Sequence, residues 1–370
     1  MTFLAEFADQ VGDWYRGGHR FALCRVVASR GSSPLPIGAT MVVGPKGEAL
    51  GSVSGGCVEG AVYQAAMEIL QGAPPRLEQY GYSDADALAA GLTCGGTVTV
   101  FVEAVDEQSF PGFGRILAAV GQSTTAAWAT DVARLADSPS YRMTRFDSGE
   151  GVGSLGEPAL DSRVADLLTS AVQTSQGSGL HRMAREGGDT LPAEVCVFVH
   201  VLYPPPRLII VGASSHATAL AAVGKAVGFH TTVCDARPVF ATPDRFPGAD
   251  EVVRQWPGEY LAQTHIDGRT AVCVLTHDTR FDVPAVLAAL RSSAAYIGVM
   301  GSRKTHHDRL RRLRDAGATP AQLARLHSPI GLDLGGRSAG ETALSILAEI
   351  VAVRHARSGR PLATIEGPLH

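Results

Sequence analysis

The sequence lacks the features that mark several large classes of protein. It has no CxxC pair and no cysteine–histidine spacing of the kind that binds zinc or an iron–sulfur cluster. It has no uncharged apolar run of about 18 residues, so no membrane-spanning helix is expected. Positive charge is not in excess, since the net charge is −4 and the isoelectric point is near 6.3, which disfavours nucleic acid or a membrane surface as the partner.

The N-terminus and the cysteines indicate a cytoplasmic protein. Residues 1–20 carry three acidic side chains within an apolar pattern, which predicts an amphipathic helix rather than a signal peptide. Most cysteines lie inside apolar strand-like runs and are expected to be reduced core residues. Cys57 and Cys94 differ, because each stands beside two glycines. The six cysteines are Cys24, Cys57, Cys94, Cys196, Cys234 and Cys273.

A length of 370 residues predicts two domains. From Arg207 onward, short β-rich runs alternate with helical stretches, which is typical of a doubly wound parallel sheet of the Rossmann type. The first half has strands, a Pro45–Gly47 hairpin turn and a helix over residues 58–72, which predicts an α+β domain.

The domain boundary is expected at the triple proline of "YPPPR", because proline blocks both helix and strand pairing. This predicts domains over residues 1–204 and 205–370. The stretch 112–191 has a weaker pattern and is expected to add strands and a helix to the first domain. No internal repeat is apparent.

The segment "LIIVGASSHATAL" occupies the place of a dinucleotide-binding turn between a strand and a helix. Gly212 fits the first glycine of that motif, whereas Ser214 replaces the second. Asp235 ends the next strand, where an acidic residue would bind a ribose hydroxyl, and Arg237 could bind a phosphate. The alternative is a plain strand–helix turn with Asp235 as a strand cap.

Two further polar clusters follow predicted strands, at the sheet edge where such folds bind ligands. "LTHDTRFD" supplies His277 and Asp278 as an acid/base pair or as structural residues. "MGSRKTHH" suits phosphate binding at a helix N-terminus, or is simply a capped helix start. Its residues are Gly301, Ser302, Arg303 and Lys304.

Three glycine-rich segments in the first half are either tight turns or places where bare backbone meets an anionic ligand. They are "RGSSPLPIG", "GSVSGGCVEG" and "TCGGT". Cys57 precedes a predicted helix, whose dipole is expected to favour thiolate. Glu59 either handles protons or compensates the helix dipole. The candidate residues are Arg30, Ser32, Ser33, Gly55, Gly56, Cys57, Glu59 and Cys94.

Together these segments resemble the XdhC/CoxI family of accessory proteins for molybdenum hydroxylases. The resemblance rests on "RGSSPLPIGATMVV", "GSVSGGCVEG" and "LTCGGTVTVFVE" in the first half. In the second half it rests on "FATPDRFPGADEVV", "TAVCVLTHD", "YIGVMGSRKTH" and "SPIGLDLGG". Ser214 departs from the Gly-Ala-Gly-His turn usual in this family. The resemblance implies an XdhC-type domain followed by a Rossmann domain.

It further implies a maturation chaperone that binds the molybdenum cofactor and delivers it, often sulfurated, to an apo-hydroxylase such as xanthine dehydrogenase. Cys57 would then contact molybdenum or carry sulfur, with a cysteine desulfurase as a further partner and a homodimer expected by analogy. Two alternatives stay open. One is an NAD(P)-dependent oxidoreductase using His277 or Asp278, and the other is a sulfurtransferase acting through Cys57.

Overall fold

The computed structural model of the protein describes residues 7–31, 33–81, 96–133, 142–174, 177–184, 194–276 and 278–365. The chain divides into two compact units, and the division falls between Pro204 and Pro205, inside the proline run. Among the described helices, none has the length and apolar character needed to cross a membrane.

Within its described residues, the first unit contains two antiparallel sheets of five strands. The strands of the first sheet are β1 (Phe21–Arg30), β2 (Thr40–Val43), β3 (Ala49–Gly51), β4 (Arg76–Tyr80) and β5 (Thr97–Val105). Those of the second are β6 (Ala126–Asp131), β7 (Arg142–Phe146), β8 (Gly151–Ser154), β9 (Gly179–Ala184) and β10 (Glu194–Leu202). The strand orders are β3-β2-β1-β5-β4 and β8-β7-β6-β10-β9. The two sheets therefore have the same topology.

The helices that the structure describes in this unit follow the same duplication. They are α1 (Ala8–Arg16), α2 (Glu59–Leu70), α3 (Phe113–Gly121) and α4 (Pro158–Thr174). In each half a helix precedes three strands, and a second helix precedes the last two strands. We call α1 to β5 repeat 1 and α3 to β10 repeat 2. The expectation that the chain has no internal repeat is therefore wrong, and the weakly patterned stretch 112–191 contains most of repeat 2.

The hairpins of the two repeats match in detail. Met41 pairs with Gly51 in repeat 1, and Met143 pairs with Gly153 in repeat 2. Both glycines have positive φ, and a Cβ on either would collide with the carbonyl of the partner strand. Only "GEALGSV" and "GEGVGSL" preserve this likeness in the sequence. Since so few residues are shared, the repeat is hard to detect before the strand pairing is known.

A shared core joins the two repeats. Its largest cluster combines aromatic side chains of both, including Phe21 from repeat 1 and Phe113 and Trp128 from repeat 2. Arg25 lies fully buried between the repeats, donates to the Glu103 carboxylate at 2.5 Å and stacks on three aromatic rings. Burial lowers the pKa of Arg25 to about 10, against the opposing effect of Glu103. The interface between the repeats therefore contains a buried ion pair.

The second unit is a six-stranded parallel sheet. Its strands are β11 (Arg207–Val211), β12 (His230–Cys234), β13 (Glu251–Val253), β14 (Ala271–Val274), β15 (Tyr296–Val299) and β16 (Leu326–His327). The order is β13-β12-β11-β14-β15-β16, which is the Rossmann arrangement with its topological switch between β11 and β14.

Helices cover both faces of this sheet. They are α5 (Ser215–Ala226), α6 (Pro257–Gln263), α7 (Thr279–Arg291), α8 (Arg303–Asp315), α9 (Pro320–Leu323) and α10 (Ala339–Arg354). Separate apolar clusters pack α5 and α10 on one face and α6 and α7 on the other. The predicted fold class, an α+β first half followed by a Rossmann-like second half, is confirmed.

Candidate functional site

The thiol bend, residues 52–58, connects β3 to α2 and faces open space. Gly55 and Gly56 are exposed and have φ angles of 72° and 116°. A Cβ at Gly56 would meet no heavy atom within 4 Å. Positive φ favours glycine, because a side chain there would strain the backbone. The bend is therefore accessible from outside and not sealed in the interior.

The carboxylate of Glu59 lies inside this bend. It accepts hydrogen bonds from the hydroxyls of Ser52 and Ser54 at 2.5 and 2.6 Å. It also accepts backbone N–H bonds from Val53, Ser54, Gly56 and Val58 at distances between 2.8 and 3.2 Å. A carboxylate with this many donors is strongly held in its ionised form.

The remaining N–H groups of the bend are also used. Gly55 donates to the Ser52 hydroxyl oxygen, and both Cys57 and Val58 donate to that of Ser54 at 2.9 Å. The expectation of free N–H groups for an anionic ligand is therefore wrong for this bend, because Glu59 and the two serines already occupy them. Sequence reasoning missed Ser52 and Ser54. The sequence pattern that could have identified them is a Ser-x-Ser pair five to seven residues before a glutamate.

The low pKa of Glu59 argues against a role as proton donor near neutral pH. Burial raises the pKa, but the hydrogen bonds from Ser52, Ser54 and the backbone outweigh it and lower the pKa to about 2. Glu59 therefore carries no proton to donate above about pH 4.

Cys57 differs in burial from Cys24, Cys234 and Cys273, whereas Cys196 on β10 is half-buried like Cys57. The side chain of Cys57 lies against the apolar cluster beneath α2. Cys24, Cys234 and Cys273 are buried, and burial raises the pKa of each thiol. Those three are core residues, as the sequence indicated. Cys94 lies outside the described residues.

The segment that follows β1 lies beside the thiol bend. The Cβ of Pro34 is 4.0 Å from the position that a Cβ on Gly55 would take. Arg30 is exposed at the end of β1, opposite Thr97 at the start of β5. Ser33 is buried and its hydroxyl donates to the Leu35 carbonyl, so this hydroxyl serves its own loop. Ser32 lies outside the described residues.

In the second unit, the turn after β11 is closely packed against the segment that follows β14. Gly212 has a φ of 106°, and a Cβ there would lie 3.1 Å from the backbone nitrogen of Thr276. The glycine is therefore required by the close approach of the segment after β14. Ser214 is the N-cap of α5, and its side chain accepts from the Ala217 N–H.

Asp235 has little capacity left for a ribose hydroxyl. It is buried, and its two oxygens accept from the Ala213 N–H and from the backbone and guanidinium of Arg237. Burial raises its pKa, but these bonds outweigh it and the pKa lies below its ordinary value. Arg237 remains partly exposed and stacks on Phe240 at 4.7 Å. A role for Arg237 in phosphate binding stays a prediction.

The other two clusters form capped helix starts. Asp278 caps α7 and pairs with Arg280, whose hydrogen bonds lower the pKa of Asp278 to about 2. This geometry does not suit an acid/base residue at neutral pH. His277 lies outside the described residues. Ser302 caps α8 behind Gly301, and the exposed Arg303 and Lys304 form its first turn, so their phosphate role also stays a prediction.

The structure groups the candidates by unit. The thiol bend and the segment after β1 meet where β1 and β3 end, and Arg30 is the last residue of β1. The predicted residues of the second unit gather at the carboxyl ends of β11, β12, β14 and β15. The protein therefore combines two units. The first is a two-repeat α+β unit with an exposed thiol bend, and the second is a Rossmann unit in which Ser214 and Asp235 already make hydrogen bonds within the protein.

Both units match models of one protein family. Residues 14–81 match the XdhC and CoxI family, and residues 208–350 match the XdhC Rossmann domain. The chain belongs to the XdhC/CoxI family.

Two relatives align with most of the chain. A probable xanthine dehydrogenase subunit of Bacillus subtilis (strain 168) is 26% identical over 334 residues, 90% of this chain and 92% of that protein. The molybdenum cofactor insertion chaperone PaoD of Escherichia coli (strain K12) is 28% identical over 337 residues, 91% of this chain and 84% of that protein. A crystal structure of a xanthine dehydrogenase from Bacillus halodurans shares the fold, with a TM-score of 0.72, 24% identity and coverage of 97% and 98% of the two chains.

Proposed function

We propose that this protein is a maturation chaperone that binds molybdenum cofactor and delivers it to an apo molybdenum hydroxylase. The observation that carries the proposal is the alignment, over 91% of the chain, with a relative named as a molybdenum cofactor insertion chaperone. The relative named as a xanthine dehydrogenase subunit supports a client of that kind.

The thiol bend supports this role chemically. Molybdenum bound by a dithiolene is a soft centre, and Cys57 is a half-buried sulfur ligand in a bend that faces solvent. The exposed Gly55 and Gly56 let a bulky cargo approach the backbone closely. Because Glu59 and the serines occupy the N–H groups of the bend, a phosphate on the cargo needs another partner. The exposed Arg30, at the end of β1 and ahead of the segment that lies beside the bend, is suited to it.

Sulfuration is the finer part of the proposal. Cys57 would receive a sulfur atom from a cysteine desulfurase as a persulfide and present it to the bound cofactor. Incubation with a desulfurase and cysteine should add one sulfur atom to the Cys57 peptide, detected by mass spectrometry. An unmodified Cys57 peptide under conditions in which the desulfurase is active would contradict this part alone.

The binding step is tested by anaerobic titration of the full chain with molybdenum cofactor. We expect saturable binding that weakens about tenfold or more, roughly 1.4 kcal/mol, in Cys57→Ala, because the sulfur contact is lost. Cys196→Ala is the matched control, since Cys196 is also a free, half-buried cysteine of this unit, and it should bind like the wild type.

Titration with NAD and NADP in the same experiment distinguishes the oxidoreductase alternative. The engaged carboxylate of Asp235 predicts weak or absent dinucleotide binding, because its oxygens already accept from Ala213 and Arg237. Tight dinucleotide binding without cofactor binding would overturn the proposed function in favour of an NAD(P)-linked enzyme.

A further inference from the structure

The internal repeat contains a second bend that matches the thiol bend. This matching bend, residues 154–160, connects β8 to α4 as the thiol bend connects β3 to α2. Each begins with a serine whose hydroxyl donates to a carboxylate seven positions later, from Ser52 to Glu59 and from Ser154 to Asp161. The same carboxylates accept the N–H of the residue after the serine, Val53 or Leu155. Both bends are therefore closed by the same contacts.

The two bends differ in where the helix begins. Counted from the serines, Gly56 corresponds to Pro158 and Cys57 to the exposed Ala159. The helix of repeat 2 starts at Pro158, whereas the helix of repeat 1 starts only at Glu59. Proline suits the first position of a helix, and Gly55 and Gly56 have positive φ that no helix contains. Repeat 1 therefore lacks the first turn that repeat 2 has.

The carboxylates of the two bends accept different sets of hydrogen bonds. Asp161 accepts from the Ser154 hydroxyl and the Leu155 N–H. Glu59, longer by one methylene, also accepts from the N–H groups of Gly56 and Val58 in the opened segment and from the Ser54 hydroxyl. The Ser54 oxygen in turn accepts from the Cys57 N–H at 2.9 Å. A continuous set of hydrogen bonds thus joins Glu59 to the backbone of Cys57.

We propose that the thiol bend is an unwound first turn of α2 and that Glu59 is the positioning residue that keeps it open. Its carboxylate replaces the hydrogen bonds of the missing turn and, through Ser54, holds Cys57 in its fixed, half-buried position. The functional meaning of this arrangement rests on the proposed function, in which Cys57 contacts the cargo. The reassignment changes Glu59 from a ligand-contacting residue to one that acts through Cys57.

Alkylation of Cys57 by iodoacetamide, followed peptide by peptide with mass spectrometry, tests the positioning role without any cofactor. Glu59→Gln and Glu59→Asp should each alkylate Cys57 about tenfold faster than the wild type, since the bend loses its fixed geometry. Asp161→Asn is the matched control and should leave the Cys57 rate within about twofold of the wild type. Cys196 in the same samples reports global opening. Equal acceleration at Cys196, or an unchanged Cys57 rate in both Glu59 variants, would overturn the proposal.

A transplant of the matching bend tests the unwound turn itself. The triple change Ser54→Gly, Gly55→Glu and Gly56→Pro writes Gly156-Glu157-Pro158 into repeat 1. We expect the turn to wind into α2 and to place Cys57 where Ala159 is exposed. Cys57 should then be alkylated faster and the cofactor bound more weakly, with the far-UV circular dichroism spectrum nearly unchanged. Full cofactor affinity and a wild-type alkylation rate would contradict it. If the wild type fails to bind cofactor, only the proposed function is contradicted. The positioning role of Glu59 is still tested by the alkylation rates, which need no cofactor.

Discussion

The two repeats of the first unit have one architecture and two different bends. In repeat 2, the bend leads directly into a complete helix that starts with proline and is closed by Asp161. In repeat 1, two glycines hold the first turn open, a cysteine stands where repeat 2 has Ala159, and Glu59 closes the bend instead. Because the matching bend of repeat 2 folds without a cysteine or a glycine pair, these features of the thiol bend are not needed for such a bend to fold. They are the features that a binding role would add.

The repeats also differ at their shared interface. Arg25 and Thr130 hold equivalent positions on β1 and β6, each opposite a phenylalanine, and Glu103 and His200 hold equivalent positions on β5 and β10. The central strand pair of repeat 1 therefore carries a buried arginine and a buried glutamate where that of repeat 2 carries a threonine and a histidine. The duplicated fold combines a charged strand pair from one repeat with a neutral one from the other.

The largest expected effect comes from breaking this asymmetry. Glu103→Gln removes the carboxylate that pairs with both Arg25 and Arg142, which should lower the free energy of unfolding by about 3–5 kcal/mol. The equivalent change, His200→Gln, should lower the free energy of unfolding by only about 1 kcal/mol, because no buried charge loses its partner. Burial lowers the pKa of His200 well below its ordinary value, so the imidazole is neutral. Chemical denaturation measures both. Equal losses of unfolding free energy in the two variants would show that the buried ion pair contributes no more to stability than the neutral histidine.

The hairpin glycines should be equally sensitive in both repeats. Gly51→Ala and Gly153→Ala each place a side chain at positive φ and against a carbonyl, with an expected loss of about 2 kcal/mol or more. Thermal unfolding of the two variants gives the comparison. A large loss at only one position would mean that the hairpins are not equivalent.

The pH dependence of the thiol bend follows from Glu59. Its folded pKa of about 2 lies below the ordinary value of 4.5, so its stabilising contribution is complete above pH 4.5 and is lost as the pH falls towards 2. The stability difference between wild type and Glu59→Gln should therefore shrink across that window. Thermal unfolding between pH 6 and pH 2 measures it, and a difference that stays constant would contradict the depressed pKa.

The smallest effect is expected from moving the thiol to the matching bend. Ala159→Cys in a Cys57→Ala background should change stability by less than about 0.5 kcal/mol, because Ala159 is exposed. It should not restore cofactor binding, since the new thiol stands on a closed helical turn. Recovery of binding in this variant would show that any exposed thiol in the unit suffices.

The sequence by itself determined the Rossmann unit, its strand–helix alternation and the glycine-rich bend with Cys57. These follow from short-range patterns, because apolar periodicity and glycine runs act within a few residues. It also indicated the core cysteines and the capped helix starts as alternatives.

Tertiary structure decided the rest. The duplication became visible only through strand pairing, because few residues besides the "GEALGSV" and "GEGVGSL" hairpins are shared. Which donors are free was likewise decided by folding, since Glu59 fills the bend and Asp235 binds Arg237 and the Ala213 N–H. Hydrogen-bond partners depend on where side chains meet in space, and the order of residues along the chain does not specify that.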